Sequence, residues 1–213
     1  VSKENLLREG IINGVYVVGN TVVDATSQNL EIAKKRSRIL NELGLKMADY
    51  FLITLHRAEN VDDKERLKKI LTAFKRLSEI YEIPLIFPIH PRTRKMIDKF
   101  GFDSKLDCVD IIEPVGYLDF LILEKNARLI LTDSGGVQEE ACILNVPCVT
   151  LRDSTERPET LSVGSNMLVD VGQDNILEGI KRMMDKKRNW KNPFGDGKSG
   201  KKIIKIIKGL MEV

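Results

Sequence analysis

The chain is short of several things, and each shortage excludes a class of protein. Cysteine occurs three times in 213 residues, and Cys108, Cys142 and Cys148 form no C-x-x-C pair. An odd, scattered set argues against a disulfide scaffold, a zinc site or a dithiol redox centre. Because Cys142 and Cys148 sit in apolar runs, structural thiols buried in a reducing cytoplasm are the expectation. Charge of one sign is also lacking, since 34 basic against 31 acidic residues leave a net charge of +3. That balance gives no field of the kind nucleic acid requires. No run approaches the roughly 18 apolar residues of a membrane span. The opening "VSKENLLREG" is charged and amphipathic, unlike a signal peptide. The chain shows no metal-ligand cluster, internal repeat or low-complexity tract, and "NPFGDGKSG" (192–200) reads as a loop of turn residues. It also lacks an initiating Met, so an internal start is expected. Hydrophobic residues at 42% and charged residues at 31% are ordinary for a globular domain.

What is present is alternation. From Tyr50 onward, short apolar runs at 50–55, 85–89, 109–112, 128–132, 147–151 and 166–170 are separated by stretches of helical periodicity. Continuous apolar runs of this length fit strands covered on both faces, hence a parallel sheet. Segment 63–81 repeats Leu67, Ile70, Leu71, Phe74, Leu77 and Tyr81 at three- and four-residue steps, with Asp62 or Asp63 placed to cap it. Segments 116–126, 135–145 and 173–187 read as helices too. The fold class expected is α/β, a doubly wound, Rossmann-like parallel sheet. In such sheets ligands bind beyond the carboxyl ends of the strands. Ahead of this domain, 1–10 reads as a short helix, "VYVVG" as a lone strand and "GNTVVDA" as a turn. Residues 1–23 are therefore expected to be the tail of another domain, with Gly19-Asn20-Thr21 as hinge, and 24–198 the domain proper. A final helix over 199–212, within a terminal segment 199–213, puts Ile203, Ile207 and Leu210 on one face. Ile204, Ile206 and Met211 widen that face, which needs a docking partner, while Lys201, Lys205 and Lys208 point to solvent.

The polar residues gather at the expected strand ends. In "LTDSGGVQEEA" (131–141) Ser134 is the natural N-cap, and Gly135 and Gly136 occupy a first helical turn whose N–H groups lack partners. Two residues without side chains let a phosphate approach that backbone, where the helix dipole favours its charge. The glutamates one turn later, Glu139 and Glu140, can accept bonds from ribose hydroxyls. The same stretch is equally a generic strand-to-helix turn. "TLHRAEN" (54–60) sets His56 and Arg57 beyond a strand, either to neutralise a leaving diphosphate or as locally bonded residues. "IHPRTR" (89–94) adds His90, Arg92 and Arg94 under the same two readings. "LRDSTERPE" (151–159) is either a salt-bridged loop of Arg152, Asp153, Glu156 and Arg157 or a guanidinium aimed at the ligand.

Taken together and in order, "GNTVVDA", "LHRAEN", "IHPRT", "EPVGYLDF", "LTDSGGVQEEA", "LRDSTERPET" and "NPFGDG" resemble the non-hydrolysing UDP-N-acetylglucosamine 2-epimerases. The matches span nearly the whole chain. The resemblance implies a glycosyltransferase-B-like pair of domains, of which this chain is the second, nucleotide-binding half. It implies epimerisation at C2 of the sugar by expulsion of UDP and its re-addition to 2-acetamidoglucal, with no cofactor. The acid and base carboxylates would lie in the other half. Carried over by motif, Ser134, Gly135 and Gly136 would hold the diphosphate, Glu140 the ribose and Arg157 the nucleotide, while His56 would stabilise the departing diphosphate. Phe120 would sit beside the uracil, although from its helix alone it is equally a core aromatic. Arg57 and His90 match positions where some relatives bind a second, activating substrate molecule. Val115, in "EPVGY", departs from relatives with a polar residue there and can offer uracil only its backbone. The resemblance further implies a UDP-sugar substrate, a homodimer in the full-length form, and supply of cell-surface polysaccharide precursors from the cytoplasm, with this half inactive alone. A glycosyltransferase half, a hydrolysing 2-epimerase and a nucleotide-sugar sensor are the competing readings.

Overall fold

The structure, a computed structural model, describes residues 1–211. Its helices are α1 (Ser2–Arg8), α2 (Thr21–Arg36), α3 (Ile39–Glu42), α4 (Ala58–Val61), α5 (Lys64–Tyr81), α6 (Pro91–Phe100), α7 (Tyr117–Asn126), α8 (Gly135–Leu144), α9 (Pro158–Ser162), α10 (Gln173–Met184) and α11 (Ser199–Met211). The strands are β1 (Phe51–Thr54), β2 (Leu85–Pro88), β3 (Asp110–Ile112), β4 (Leu129–Thr132), β5 (Cys148–Leu151) and β6 (Asn166–Val169). All six expected strands are there, in one fully parallel sheet ordered β3-β2-β1-β4-β5-β6.

The apolar runs are continuous because both faces of each strand are covered. From β1, Phe51 and Ile53 enter one core with Leu67, Ile70, Phe74 and Leu77 of α5 and Ile176 and Ile180 of α10. Tyr50 and Leu52 enter the opposite core, with Leu121 and Leu123 of α7 and Val137 and Ala141 of α8. In α5 the capping residue is Asp63, whose side chain accepts from Arg66 N–H at 2.8 Å.

Two expectations at the N-terminus need correction. "VYVVG" forms no strand, because a strand needs a ladder partner and none lies beside it among the described residues. Tyr16 and Val17 are exposed instead. The supposed turn "GNTVVDA" is the start of α2, whose 16 residues begin at Thr21, ahead of the boundary expected at 24. Asn20 caps it, accepting from Val22 N–H at 3.0 Å. Its own N–H donates to Phe194 O at 2.7 Å, and Asp24 accepts from the N–H groups of Ser199 and Gly200 at 3.1 and 3.0 Å. "GNTVVDA" and "NPFGDG", far apart in sequence, are thus two sides of one junction. Gly19 makes it possible: its φ is +92°, and a Cβ there would sit 2.8 Å from Ser199 Oγ and 3.1 Å from Phe194 O. Gly19→Ala is expected to destabilise the fold by about 1–3 kcal/mol, read as a lower urea midpoint.

The last helix shows the predicted apolar face largely uncovered. Ile203 and Ile206 are half-buried, and Ile204, Ile207, Leu210 and Met211 are exposed. The final residue of the expected 199–212 helix lies outside the described residues, as does the end of segment 199–213. Cys142 and Cys148 are buried and Cys108 half-buried, all as free thiols, and burial pushes the Cys148 thiol up to about 12.

Candidate functional site

The chain runs outward from β1 through β2 to β3, then returns to lay β4 on the other side of β1. The winding therefore reverses between β1 and β4, the place where open α/β sheets leave a crevice. Their register pairs Thr54 with Thr132, and the two hydroxyls lie 2.5 Å apart. "HRAEN" leaves one strand and "DSGG" the other at the same level.

Asp133, fully buried, binds the two loops together. Its carboxylate accepts from His56 N–H at 3.1 Å, from Arg57 N–H at 2.8 Å and from Asn60 Nδ2 at 3.2 Å. The His56 ring then stands with Nδ1 3.3 Å from Asp133 Oδ1. The carboxylate favours the tautomer with the proton on Nδ1, which leaves Nε2, the nitrogen away from the aspartate, free to accept or donate, and His56 is one of the residues lining the crevice. Partial burial holds the His56 pKa below its ordinary value; Asp133 opposes that shift, while His90, Arg57 and Arg92 reinforce it. The His90 ring lies 5.4 Å from that of His56.

Beside this dyad α8 begins. Ser134 holds the N-cap position, but its side chain makes no capping bond, and its N–H is turned back to Thr132 Oγ1 at 2.9 Å. The hydroxyl and the first-turn N–H groups are left for a ligand. A Cβ on Gly135 would lie 3.9 Å from Arg57 NH2 and 3.8 Å from Glu156 Oε2. The Arg57 guanidinium therefore overlooks the glycine floor. A cleft of about 220 Å³ opens next to it, lined by Thr54, His56, Pro88, His90, Val115 and Phe120 among others, with Ser134 at its edge. Phe120 is half-buried against the core that α7 and α8 cover, and it also lines the cleft.

Not every predicted residue joins this centre. Arg92 is engaged by Asp62 and Arg94 pairs with Asp103 at 3.8 Å, so neither aims at the crevice. In the 151–159 loop the two arginines differ in burial and in partner. Arg152 is buried and salt-bridged to Glu59 at 2.9 Å and to Glu156 at 2.7 Å, which holds the Glu156 carboxyl down at about 2. Arg157 is a third exposed, lines an adjoining groove with Asn20 and Tyr16, and keeps Nε 2.8 Å from Glu139 Oε1. Glu140 is half-buried one turn beyond Gly136 and accepts from the Tyr117 hydroxyl at 2.7 Å. Sequence reasoning missed Asp133, Asn60 and Tyr117, and gave no sign that Glu139 pairs with Arg157. A carboxylate at a buried strand end was the available signal for the first.

A model of the family "UDP-N-acetylglucosamine 2-epimerase" matches residues 1–208. The chain belongs to this family. It is 58% identical to the UDP-N-acetylglucosamine 2-epimerase of Methanocaldococcus jannaschii, over 97% of this chain and 58% of that protein. The crystal structure of the M. jannaschii enzyme in complex with UDP-GlcNAc and UDP superposes with a TM-score of 0.90 at 58% identity, covering 97% of this chain and 58% of the other. The Neisseria meningitidis enzyme bound to UDP-GlcNAc follows at 0.86 and 35% identity, over 98% and 59%. The chain thus spans somewhat more than half the length of these family members. Among the described residues no helix is long and apolar enough to cross a membrane.

Proposed function

We propose that this chain is the UDP-binding half of an isomerase that interconverts UDP-N-acetylglucosamine and UDP-N-acetylmannosamine. The observation that carries this reading is the pairing, at the switch point of the sheet, of an uncapped glycine helix start with a histidine set on a buried aspartate. A family member with 58% identity has been solved with UDP-GlcNAc and UDP. In this reading the pyrophosphate rests on the N–H groups of Gly135 and Gly136 and on the Ser134 hydroxyl, beneath Arg57. Glu140 takes ribose hydroxyls, and uracil enters the cleft against Phe120, read through the backbone at Val115. Arg157 reaches the nucleotide from the adjoining groove. Arg57 and His90 also serve a second substrate molecule acting as activator.

The reaction breaks C2–H, whose electron pair forms the C1–C2 double bond of 2-acetamidoglucal as the C1–O pair leaves with UDP. Protonation of C2 on the opposite face and return of UDP to C1 give the epimer. Electrons are neither gained nor lost, so the step needs no redox cofactor. The proton-transferring carboxylates belong to the remainder of the enzyme, and the chain alone binds UDP without turnover. Tyr16, Val17 and the uncovered face of α11 pack on that remainder, and the complete enzyme is a cytoplasmic homodimer serving cell-surface polysaccharide synthesis.

Calorimetric titration tests the assignment. UDP added to the 213-residue chain should give saturable heat. The free His56 is held below its usual pKa by burial and neighbouring cations, and the negative charge of a bound diphosphate favours its imidazolium. Binding near neutral pH should therefore take up a proton, seen as a dependence of the heat on buffer ionisation enthalpy. His56→Ala should remove that component. Absence of saturation with UDP would overturn the nucleotide site, and an unchanged buffer dependence in His56→Ala would overturn the role of His56.

A further inference from the structure

Beneath the proposed ribose site, α7 carries a carboxyl group that the reaction does not use. Glu124 is fully buried, and neither of its oxygens meets a donor in hydrogen-bond geometry. What stands against it is a second carboxyl, that of Glu140, within hydrogen-bonding reach. Two carboxyl groups can bond only if one of them holds a proton. Glu124 is the group sealed from water, and burial disfavours its charged form. Glu140 keeps an edge toward solvent and a donor in the Tyr117 hydroxyl at 2.7 Å, so it is the better-stabilised anion. Other groups around the pair are Glu139 on α8, the Cys148 thiol on β5 and Tyr117 on α7, with the buried Thr26 hydroxyl of α2 against Tyr117.

We propose that Glu124 is a positioning residue for nucleotide recognition: as a neutral acid it donates a hydrogen bond to Glu140 and holds that carboxylate ionised and turned toward the ribose hydroxyls. This rests on the reading of Glu140 as the ribose acceptor. Tyr117 and Glu124 then occupy the inner lone pairs of Glu140, and those left over face the ligand. Discrimination between ribose and 2′-deoxyribose is the property so set. Glu140 is itself raised from the ordinary carboxylate range by burial, and both inner donors pull it back. Discrimination is present above the Glu140 pKa and lost as pH falls through it. Removing the Glu124 donor moves that loss to higher pH.

The test compares UDP with 2′-deoxy-UDP on the 213-residue chain across a pH series, because the ratio of the two affinities cancels titration of the phosphate. Glu124→Leu should bind UDP roughly tenfold more weakly, on the scale of a charge-assisted bond. Its preference for ribose should shrink and vanish at a higher pH than in the parent. Glu124→Gln keeps a neutral donor of the same shape and should hold both the ratio and its pH midpoint. Parent behaviour in Glu124→Leu overturns the proposal, and so does loss of discrimination in Glu124→Gln. Infrared difference spectra between the parent and Glu124→Gln need no ligand and cover the case in which the leucine variant does not fold. A protonated-carboxyl stretch near neutral pH, present only in the parent, supports the neutral acid, and its absence overturns it. If the parent shows no preference for UDP over the deoxy analogue, the ribose reading of Glu140 fails, whatever the infrared result.

Discussion

Replacing His56 by alanine is expected to lower kcat of the complete epimerase by about 10²–10³ while raising KM for the nucleotide sugar less than about tenfold. The asymmetry follows from the proposed role, in which the imidazole faces the departing diphosphate. Before C1–O cleavage the diphosphate charge is shared with a sugar ester, and afterwards a further full charge sits on the leaving oxygen. A donor fixed at that position gains strength as the charge grows, so its loss is felt in the barrier more than in ground-state binding. Here the fixing is done by Asp133, whose carboxylate lies beside Nδ1 and also accepts the backbone N–H groups of His56 and Arg57. Because those backbone bonds do not involve the imidazole, the loop stays in place in His56→Ala. The ring is 37% exposed, so a stability loss above about 1 kcal/mol is not expected. Asp133→Ala would be a poorer probe, since it strips an acceptor from three donors at once and damages the fold with the site. Steady-state rates with UDP-N-acetylglucosamine, beside a urea melt of each variant, decide the matter. A rise in KM with kcat unchanged would make His56 a binding residue only.

The sheet was legible because strands buried on both faces leave unbroken apolar runs, which few other structures produce. α2 was not, for the opposite reason. Its buried stripe is Val23, Thr26 and Ala33, one valine with a hydroxyl and a methyl, and a stripe that small leaves little periodicity to read. "VYVVG" failed because strand propensity is a statement about fitting a sheet, and among the described residues no neighbouring strand is there to fit. Within the site, the glycine helix start and the histidine were visible because each is local. Asp133 stood in the same quoted motif, yet its role depends on donors 73 to 77 residues away. Arg152 and Arg157 share one loop and one chemistry, and only burial separates the structural guanidinium from the more accessible one. Glu124 was hidden most completely, because nothing in the sequence separates it from Asp119, Lys125 and Asn126 of the same helix, and only burial marks it out.

Gly135→Ala should fold as well as the parent and bind UDP at least about a hundredfold more weakly. The first half of that expectation comes from space: a Cβ there meets Glu156 and Arg57 side-chain atoms at 3.8 and 3.9 Å, ordinary contact distances. Alanine also favours a helix by up to about 1 kcal/mol over glycine, so the melting midpoint should hold or rise. The second half comes from what the methyl displaces. It occupies the approach to the first-turn N–H groups, where the proposed pyrophosphate site brings oxygen within about 3 Å of nitrogen. Two charge-assisted bonds at about 1.5–3 kcal/mol each are lost or lengthened, and every 1.4 kcal/mol is about tenfold in affinity. Uridine separates this from a general disturbance of the cleft. It carries the base and ribose but no phosphate, so its weaker binding should be the same in parent and variant. A Gly135→Ala protein that melts normally and holds UDP as the parent does would show that the phosphates lie elsewhere. An equal loss for uridine would show that the methyl acts on the base and ribose sites as well. Only a selective loss of the diphosphate ties the ligand's charge to the start of α8.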